Sequence, residues 1–360
     1  MDNLVSLAMI IKNEQDYLSR CLEGVKDFVD EIIIVDTGST DSSKMIAAQY
    51  TDKIYDFNWC DDFAMARNFA FSKAKSKYIM WLDADDYISE ENLFKLKNLR
   101  KNLIKSDVDV YMMKYEIAFD NQGNSTFTYN RERLIKNDGT FAWEGVIHEV
   151  IAPHGKIENL DIAIKHLKDN KQSDPKRNLK IYRKLLKNGK QLNAREQYYY
   201  ARELFYNKYY KRAIIAFKRF LKDDSGWVEN KLGALEMLYY CYNALNDNKN
   251  ILKTLYKSFE YDAPRANFLC FIGDYFMKLN KFNNAIFWFK NALNCEKDYS
   301  SGAFINEEYY NIYPALQLCV CYDRLGQKRT AKDFNDYVLK INPNHKIALL
   351  NDEYFNKIKL

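Results

Sequence analysis

Carboxylates follow two hydrophobic runs in the first half of the chain. Asp36 ends a β-branched run, and Asp83 and Asp85 follow the apolar run 78–82. Because one residue separates Asp83 from Asp85, both carboxylates can reach one divalent cation from a turn, and hard oxygen ligands select Mg²⁺ or Mn²⁺. Such a cation would neutralise charge on a departing diphosphate. A solvated acidic turn with a helix cap is the alternative interpretation.

Other polar residues near these runs suit a nucleotide ligand. The Asp36 carboxylate could accept a hydrogen bond from N3–H of uracil. Arg67 lies in a helical segment between the two runs, where its guanidinium could bind a phosphate with two parallel hydrogen bonds. A surface ion pair with Asp61 or Asp62 is the other role open to Arg67.

The elements that position these residues alternate between strands and helices. A continuous β-branched run is typical of a parallel strand that is buried on both faces. The resulting βαβαβ order predicts an α/β domain with a doubly wound sheet, whose ligands bind beyond the carboxyl ends of the strands. Both acidic clusters lie at such ends. The predicted strands are 5–11, 31–36, 52–56 and 78–82, and the clearest helix is 64–75.

The second half consists of helical patterns that repeat at steps of 38, 34 and 46 residues. In each repeat a small residue is followed twelve positions later by a small or aliphatic one, except that Tyr239 replaces the small residue in the second repeat. This period predicts a tetratricopeptide-like helical solenoid with a distorted second repeat, and an irregular helical bundle is the alternative. The pairs are Ala201 with Ala213, Tyr239 with Ile251, Gly273 with Ala285, and Cys319 with Ala331.

A basic stretch separates the halves. Between Lys165 and Lys190 there are ten Lys or Arg and two acids. A solvated helix face explains the stretch, and contact with an anionic donor or an acidic leader segment is the alternative. The predicted organisation is a catalytic domain at 1–168, a basic helical connector at 169–195 and helical repeats at 196–360.

Composition and charge exclude several classes of protein. The 360 residues carry a net charge of +5, which gives little support to a nucleic-acid binder. No apolar run reaches the roughly 18 residues of a membrane span, and the N-terminus lacks the features of a secretory signal. The seven cysteines are scattered and odd in number, which favours a reducing cytoplasm over disulfides. We therefore expect a cytoplasmic protein.

Five motifs in the first half, taken together and in order, resemble the family 2 glycosyltransferases of the GT-A fold. The resemblance spans about residues 4 to 166. The motifs are IIKNE (10–14), VDTGSTD (35–41), FNWCDDFA (57–64), ARN (66–68) and WLDADD (81–86).

The resemblance implies a UDP-sugar donor, a divalent cation (Mn²⁺ or Mg²⁺) and inversion at the anomeric carbon. By this resemblance, Asp36 of this chain would contact uracil, Glu14 would fix the nucleoside, and Asp83 would lie near ribose and metal. Asp85 would ligate the metal. The residues expected to bind the donor are Ile10, Lys12, Glu14, Asp36, Ser39, Arg67, Asp83 and Ala84.

The segment FAWEGVIHE (141–149) resembles the acceptor side of the same family. An inverting transfer needs one general base that deprotonates the acceptor, and Glu149 is our candidate, with His148 second. Trp143 could stack on a sugar or lie in the core. His166 corresponds to a histidine that closes the donor site as a metal or diphosphate ligand, although the residues after it depart from the family's usual phrase.

A glycosyltransferase domain followed by tetratricopeptide repeats resembles bacterial peptide glycosyltransferases, including those that glycosylate Cys or Ser of bacteriocin precursors. This implies transfer of a hexose or N-acetylhexosamine to a Cys or Ser/Thr side chain of a peptide or protein. The repeats would hold the acceptor or form a homodimer interface. The alternatives are an acceptor that is a cell-surface glycan or lipid-linked sugar, and a non-catalytic repeat scaffold.

Overall fold

A computed structural model describes residues 3–119, 123, 125–167, 174–297 and 305–358, and divides the chain into two compact units, Met1–Asp174 and Pro175–Leu360. The predicted boundary at 168 lies outside the described residues, and the division into three segments stays a prediction.

The first unit is built from short strands and helices. Its described strands are β1 (Val5–Ile11), β2 (Glu31–Asp36), β3 (Ile54–Asp56), β4 (Tyr78–Trp81), β5 (Asp86–Tyr87), β6 (Val110–Phe119), β7 (Ser125–Lys136), β8 (Trp143–Glu144), β9 (Val150–Ile151) and β10 (Ile157–His166). Its described helices are α1 (Leu18–Glu23), α2 (Ser43–Ala47), α3 (Phe63–Phe71) and α4 (Glu90–Leu103).

Eight of the described strands form one mixed sheet, in the order β3-β2-β1-β4-β7-β6-β10-β5. The run from β3 to β4 is parallel, as the sequence predicts, whereas β7 pairs antiparallel with both β4 and β6. The sheet is thus not doubly wound throughout. The long hairpin of β6 and β7 follows α4 and extends the sheet with antiparallel pairing.

The central strands are apolar on both faces because helices cover both. Successive side chains of a strand point to opposite faces. Accordingly, Leu7 and Met9 of β1 belong to one buried cluster, and Ala8 belongs to the other. The carboxyl ends of β2 and β4 flank that of β1, about 10 Å apart at the usual strand spacing.

The second unit is helical. Its described helices are α5 (Arg177–Lys187), α6 (Ala194–Tyr206), α7 (Tyr210–Phe220), α8 (Val228–Ala244), α9 (Asn248–Tyr256), α10 (Ala266–Lys278), α11 (Phe282–Leu293), α12 (Ile312–Arg324), α13 (Lys328–Ile341) and α14 (Lys346–Lys357). Short 3₁₀ segments occupy Lys257–Glu260 and Glu307–Tyr310.

Four consecutive hairpins, from α6/α7 to α12/α13, confirm the predicted tetratricopeptide-like repeats. The small-residue positions of the repeats are buried between the paired helices. A side chain at Gly273 would meet the Phe289 ring, since a Cβ there would lie 2.6 Å from the nearest ring atom. The repeat containing Tyr239 departs from the others, as expected, because α9 is short and continues as a 3₁₀ segment. No helix in the described part of the chain is long and apolar enough to cross a membrane.

Candidate active site at the carboxyl edge of the sheet

The loop after β1 is held by hydrogen bonds to the loop after β2. Asn13 adopts a left-handed backbone with φ of 55°, and its N–H donates to Ser39 Oγ at 3.0 Å. The backbone N–H of Glu14 donates to Ser43 Oγ at 2.6 Å. These contacts place the predicted donor-binding residues of both loops side by side, with Lys12 exposed.

Asp36 is buried at the end of β2 and shapes the turn that follows. Its carboxylate accepts the N–H groups of Gly38 at 3.2 Å and Ser39 at 3.0 Å. Gly38 has a φ of 103°, a conformation that suits glycine because no Cβ clashes there. The turn therefore fixes the direction of the Asp36 carboxylate, and its contact with a uracil stays a prediction.

Asp86 anchors the acidic turn after β4 from inside the protein. It is fully buried, and its Oδ2 accepts from the Asp83 backbone N–H at 2.9 Å and from Arg133 Nη1 at 2.9 Å. Its Oδ1 accepts from the Tyr115 hydroxyl at 3.0 Å. Burial, followed by the charge of Asp86, raises the pKa of Tyr115 far above its ordinary value, so the phenol stays a donor.

Arg133 is a buried cation between two aromatic rings. Its guanidinium carbon lies 3.7 Å from the centroid of the Trp81 ring and 4.1 Å from that of Tyr115. Both Arg133 and Asp86 have fully buried side chains, so each charge compensates the other, and Arg133 Nη1 also donates to Trp81 O at 3.2 Å. Arg133 Nε and Nη2 have no hydrogen-bond partner among the described residues. The pair locks the turn that carries Asp83 and Asp85.

His166, the last residue of β10, faces this acidic turn. Its Nδ1 lies 3.3 Å from Asp85 Oδ1 and 3.4 Å from Asp86 Oδ1. Burial alone would lower the pKa of His166, but the hydrogen bonds to Asp85 and Asp86 outweigh it and raise that pKa to about 10. One ligand atom each from Asp83, Asp86 and His166 lies within 4.8 Å of the others.

The donor atoms fit a hard divalent cation. Within the cluster of Asp83, Asp86 and His166, Asp86 already accepts three hydrogen bonds from protein donors. Asp85 lies outside that cluster but contacts His166. Carboxylate oxygens with one imidazole suit Mn²⁺ or Mg²⁺ better than a thiophilic metal. Metal ligation by Asp85 and His166 stays a prediction that this geometry accommodates.

Arg67 joins the acidic turn to the candidate base. Its Nη2 donates to Asp83 Oδ1 at 2.7 Å, and its Nε donates to Glu149 Oε1 at 2.7 Å. Burial would raise the pKa of Asp83, but the charges of Arg67 and Arg133 hold it well below its usual range. The ion pair with Asp61 or Asp62 considered from the sequence is wrong for this structure: Asp62 caps α3, and Arg67 points to Asp83 and Glu149.

Glu149 sits in the loop of the small hairpin formed by β8 and β9. The loop contains Gly145 with a φ of 95° and His148 with a φ of 55°. Asn68 of α3 fixes the hairpin, since its side-chain amide donates to Trp143 O at 2.9 Å and accepts from Trp143 N at 2.8 Å. This clamp brings Glu149 to Arg67 across 82 residues of sequence.

Trp143 is a core residue. It is 3% exposed, and its ring lies 4.8 Å from that of Trp81. The Arg67 guanidinium carbon lies 4.7 Å from the Trp143 ring centroid, which helps to orient the arginine. Of the two roles that the sequence left open for Trp143, the structure supports packing.

The structure thus brings together two groups of predicted residues. Arg67 donates hydrogen bonds to both Asp83 and Glu149, and Asp85 contacts His166. Ile10 lies in β1, half-buried, and Ala84 is buried within the acidic turn. The roles of all these residues, and the choice between Glu149 and His148 as base, stay predictions.

The residues that support the site were not predicted from the sequence. Arg133, Tyr115 and the anchoring role of Asp86 lie on three separate elements, and nothing in a single sequence pairs them. One signal was present: Asp86 extends the acidic motif by one residue. A third carboxylate so close to two others predicts a buried partner, because three unscreened charges would repel.

Comparisons with known proteins agree with the organisation seen here. Residues 6–167 match the family model described as glycosyl transferase family 2. The chain is 25% identical over 284 residues to the SPbeta prophage-derived glycosyltransferase SunS of Bacillus subtilis, covering 76% of this chain and 65% of that protein. It is 34% identical over 148 residues to a TPR repeat-containing protein of Synechococcus elongatus, covering 41% of this chain and 35% of that protein.

The chain therefore spans between about a third and just under two thirds of the length of these curated relatives. Among solved structures, S. aureus TarS 1-349 in complex with UDP-GlcNAc is similar over 95% of this chain and 93% of that chain, with 11% identity and a TM-score of 0.37. A likeness of that size supports no conclusion about this chain.

Proposed function

We propose that this chain, whose residues 6–167 form a family 2 glycosyltransferase domain of the GT-A fold, transfers a hexose or N-acetylhexosamine from a UDP-sugar to a Cys, Ser or Thr side chain of a polypeptide. The transfer inverts the anomeric carbon. The observation that carries the proposal is the Arg67 bridge, which places the candidate base Glu149 beside the acidic turn that would hold the diphosphate.

Glu149 is well placed to act as the general base. Its Oε1 accepts from Arg67, while its Oε2 has no hydrogen-bond partner among the residues that the structure describes. In the transfer, the acceptor sulfur or oxygen bonds to the anomeric carbon and its proton passes to Glu149 Oε2. The bond between that carbon and the UDP oxygen breaks, and its electron pair leaves with UDP.

The acidic turn would bind the diphosphate of the UDP-sugar through a divalent cation. Asp83, Asp85 and His166 are the residues that would bind a divalent cation, which when bound neutralises the charge of the leaving diphosphate. The buried pair of Asp86 and Arg133 keeps the turn in place. The Asp36 carboxylate, fixed by its own turn, would select uracil through N3–H.

The helical repeats support a polypeptide acceptor. Half-buried and exposed polar or aromatic side chains recur at steps of three and four on the first helices of successive hairpins, which is the spacing of one helix face. Solenoids use such faces to bind extended peptides, and a tethered acceptor has a raised local concentration. The side chains are Tyr199, Arg202 and Tyr206 on α6, and Glu236, Tyr240 and Asn243 on α8.

The experiment is a transfer assay with a candidate precursor peptide, a panel of UDP-sugars and Mn²⁺, read by mass spectrometry of the peptide. We expect a mass increase of one sugar with one donor, lost when the acceptor Cys or Ser of the peptide is replaced by Ala. Asp85→Ala should release far less UDP than wild type, whereas the surface control Asp107→Ala should match wild type. Absence of UDP release with every donor would refute the proposal, and UDP release without peptide modification would refute the acceptor.

A further inference from the structure

The solvent side of α7 carries cations with no acidic neighbour on the helix. Lys211, Arg212, Lys218 and Arg219 are exposed at a spacing that places them on one helix face, together with Ile215. None of these four cations makes an ion pair with another described residue. Arg212 and Lys218 instead lie near aromatic rings, at 5.9 Å from the centroid of Tyr209 and 5.6 Å from that of Tyr242.

Helix α5 also carries exposed cations. Its exposed cations are Arg177, Lys180, Arg183, Lys184 and Lys187, and its sequence contains no acid. We call the exposed cations of α5 and α7 together the basic face.

The two helices are neighbours at this surface. The Arg183 guanidinium lies 5.3 Å from the centroid of Tyr209, the ring that Arg212 approaches from α7. The Asn207 side chain also donates to Pro175 O at 3.3 Å, which ties the start of α5 to the start of α7. Arg183 of α5 and Arg212 of α7 therefore lie near the same ring, which brings these two cations of the basic face close together.

Acids are rare in the sequence from 176 to 222. From 176 to 222 the chain has fifteen Lys or Arg and two acids, Glu196 and Glu203. Both acids are buried, at 5% and 6% exposure. Glu196 completes the capping box of α6, and Glu203 accepts from Asn178 at 3.1 Å. A concentration of like charge on a surface attracts a ligand of opposite sign.

We propose that the basic face binds an acidic stretch of the polypeptide that this chain glycosylates. This inference rests on the proposed function, which identifies the partner as the acceptor polypeptide. Charge complementarity identifies the surface that binds it. Arginine forks such as those of Arg183 and Arg212 match carboxylates with paired hydrogen bonds. An 11-residue helix is about 16 Å long, the span of about five extended residues.

A membrane is the less suitable partner for the basic face. A helix that lies on a bilayer presents an apolar stripe beside its cations. The solvent stripe of α7 contains one exposed apolar residue, Ile215, at 70% exposure among four cations. The structure therefore favours a peptide carboxylate over a lipid surface.

The test measures binding by the full chain without any UDP-sugar. A fluorescein-labelled peptide of alternating Glu and Ala serves as probe, its Gln counterpart as the neutral control, and fluorescence anisotropy as the readout. We expect the acidic peptide to bind at least about tenfold more tightly than the neutral one at low salt, with affinity falling as salt rises. The triple variant Lys211→Glu, Arg212→Glu, Lys218→Glu should weaken acidic-peptide binding by at least about tenfold.

A matched triple variant, Lys281→Glu, Lys340→Glu, Lys357→Glu, makes the same charge change at exposed sites elsewhere in the helical unit and should weaken binding less than about threefold. Circular dichroism reports whether the variants fold, and Lys211→Gln with Lys218→Gln replaces the triple variant if it does not.

Equal loss in the two triple variants, or equal binding of both peptides, would overturn the proposal. So would tighter binding of phosphatidylglycerol vesicles or of a DNA oligonucleotide than of the acidic peptide. The binding assay contains no UDP-sugar, so its result can be interpreted even if the sugar-transfer assay fails. If the binding assay fails, the proposal of a donor site in the first unit is not affected.

Discussion

The two units of the molecule position their side chains by different means. The sheet unit fixes its acidic turn with buried charges, above all the pair of Asp86 and Arg133, both with fully buried side chains. The helical unit repeats apolar contacts such as the fit of Phe289 against Gly273, and it also holds the ion pair of Arg265 with the buried Glu229. In the sheet unit a buried ion pair therefore supports the candidate site, whereas in the helical unit close packing of small and large side chains sets the repeat.

The largest effect on activity is expected from replacing the candidate base in the sheet unit. Glu149→Gln removes the proposed proton acceptor but keeps the size of the side chain and an acceptor oxygen for Arg67. We expect the rate of UDP release in the presence of acceptor to fall about 10² to 10⁴-fold, with UDP affinity unchanged. His148→Gln is the matched control. A larger loss in His148→Gln than in Glu149→Gln would transfer the role of base to His148.

Removing one partner of the buried charge pair tests whether charge holds the sheet unit. Asp86→Ala leaves Arg133 as an uncompensated buried cation, so we expect a loss of about 3–5 kcal/mol in unfolding free energy. The double variant Asp86→Leu, Arg133→Met removes both charges and should recover much of that loss. Guanidinium unfolding followed by tryptophan fluorescence measures both. A double variant no more stable than Asp86→Ala would contradict this account.

Overpacking tests whether shape holds the helical unit. Gly273→Ala would place a Cβ 2.6 Å from the fully buried Phe289 ring, so we expect a loss of about 1–3 kcal/mol. Adding Phe289→Leu should restore part of the stability because it makes room for the new methyl group. Thermal unfolding of the single and double variants gives the comparison, and a neutral Gly273→Ala would show that the repeats tolerate looser packing.

The last effect depends on pH and concerns a carboxylate in the helical unit. Burial raises the pKa of Asp274 to about 6, although the hydrogen bond from the Tyr313 hydroxyl at 2.8 Å opposes this. Because the folded-state pKa is raised, the protonated acid stabilises the fold below about pH 4, and this stability is lost as the pH rises through 6.

Asp274→Asn keeps the acceptor for Tyr313 and removes the titration. We expect the variant to be more stable than wild type by about 2–3 kcal/mol at pH 8 and by less than about 1 kcal/mol at pH 4. Thermal unfolding across this range is the measurement. A difference that does not change with pH would show that Asp274 does not titrate between pH 4 and 8.

The helical unit was largely predictable because its signal is periodic. The paired small positions at Ala201, Gly273 and Cys319 mark the first helices of three hairpins, and all are buried as expected. The start of the sheet was predictable for a similar reason, since the runs that form β1 and β2 are apolar on both faces. The antiparallel part was not, because β6 and β7 mix polar and apolar residues without clear alternation.

The candidate site was only partly predictable from the sequence. Residues at strand ends, such as Asp36 and Asp83, could be placed by topology alone. Contacts between distant segments could not. Arg67 and Glu149 are 82 residues apart, and Arg133 and Asp86 are 47 apart. A single sequence does not state which charge neutralises which, because that depends on how the chain packs.

Calorimetric titration of UDP with and without Mn²⁺ tests most directly whether the acidic turn is a donor site. We predict that wild type and the surface control Asp27→Ala bind UDP with Mn²⁺ and far more weakly without it, and that Asp85→Ala loses the effect of the metal. Failure of wild type to bind UDP in the presence of Mn²⁺, or equal metal-dependent binding by Asp85→Ala, would contradict the account.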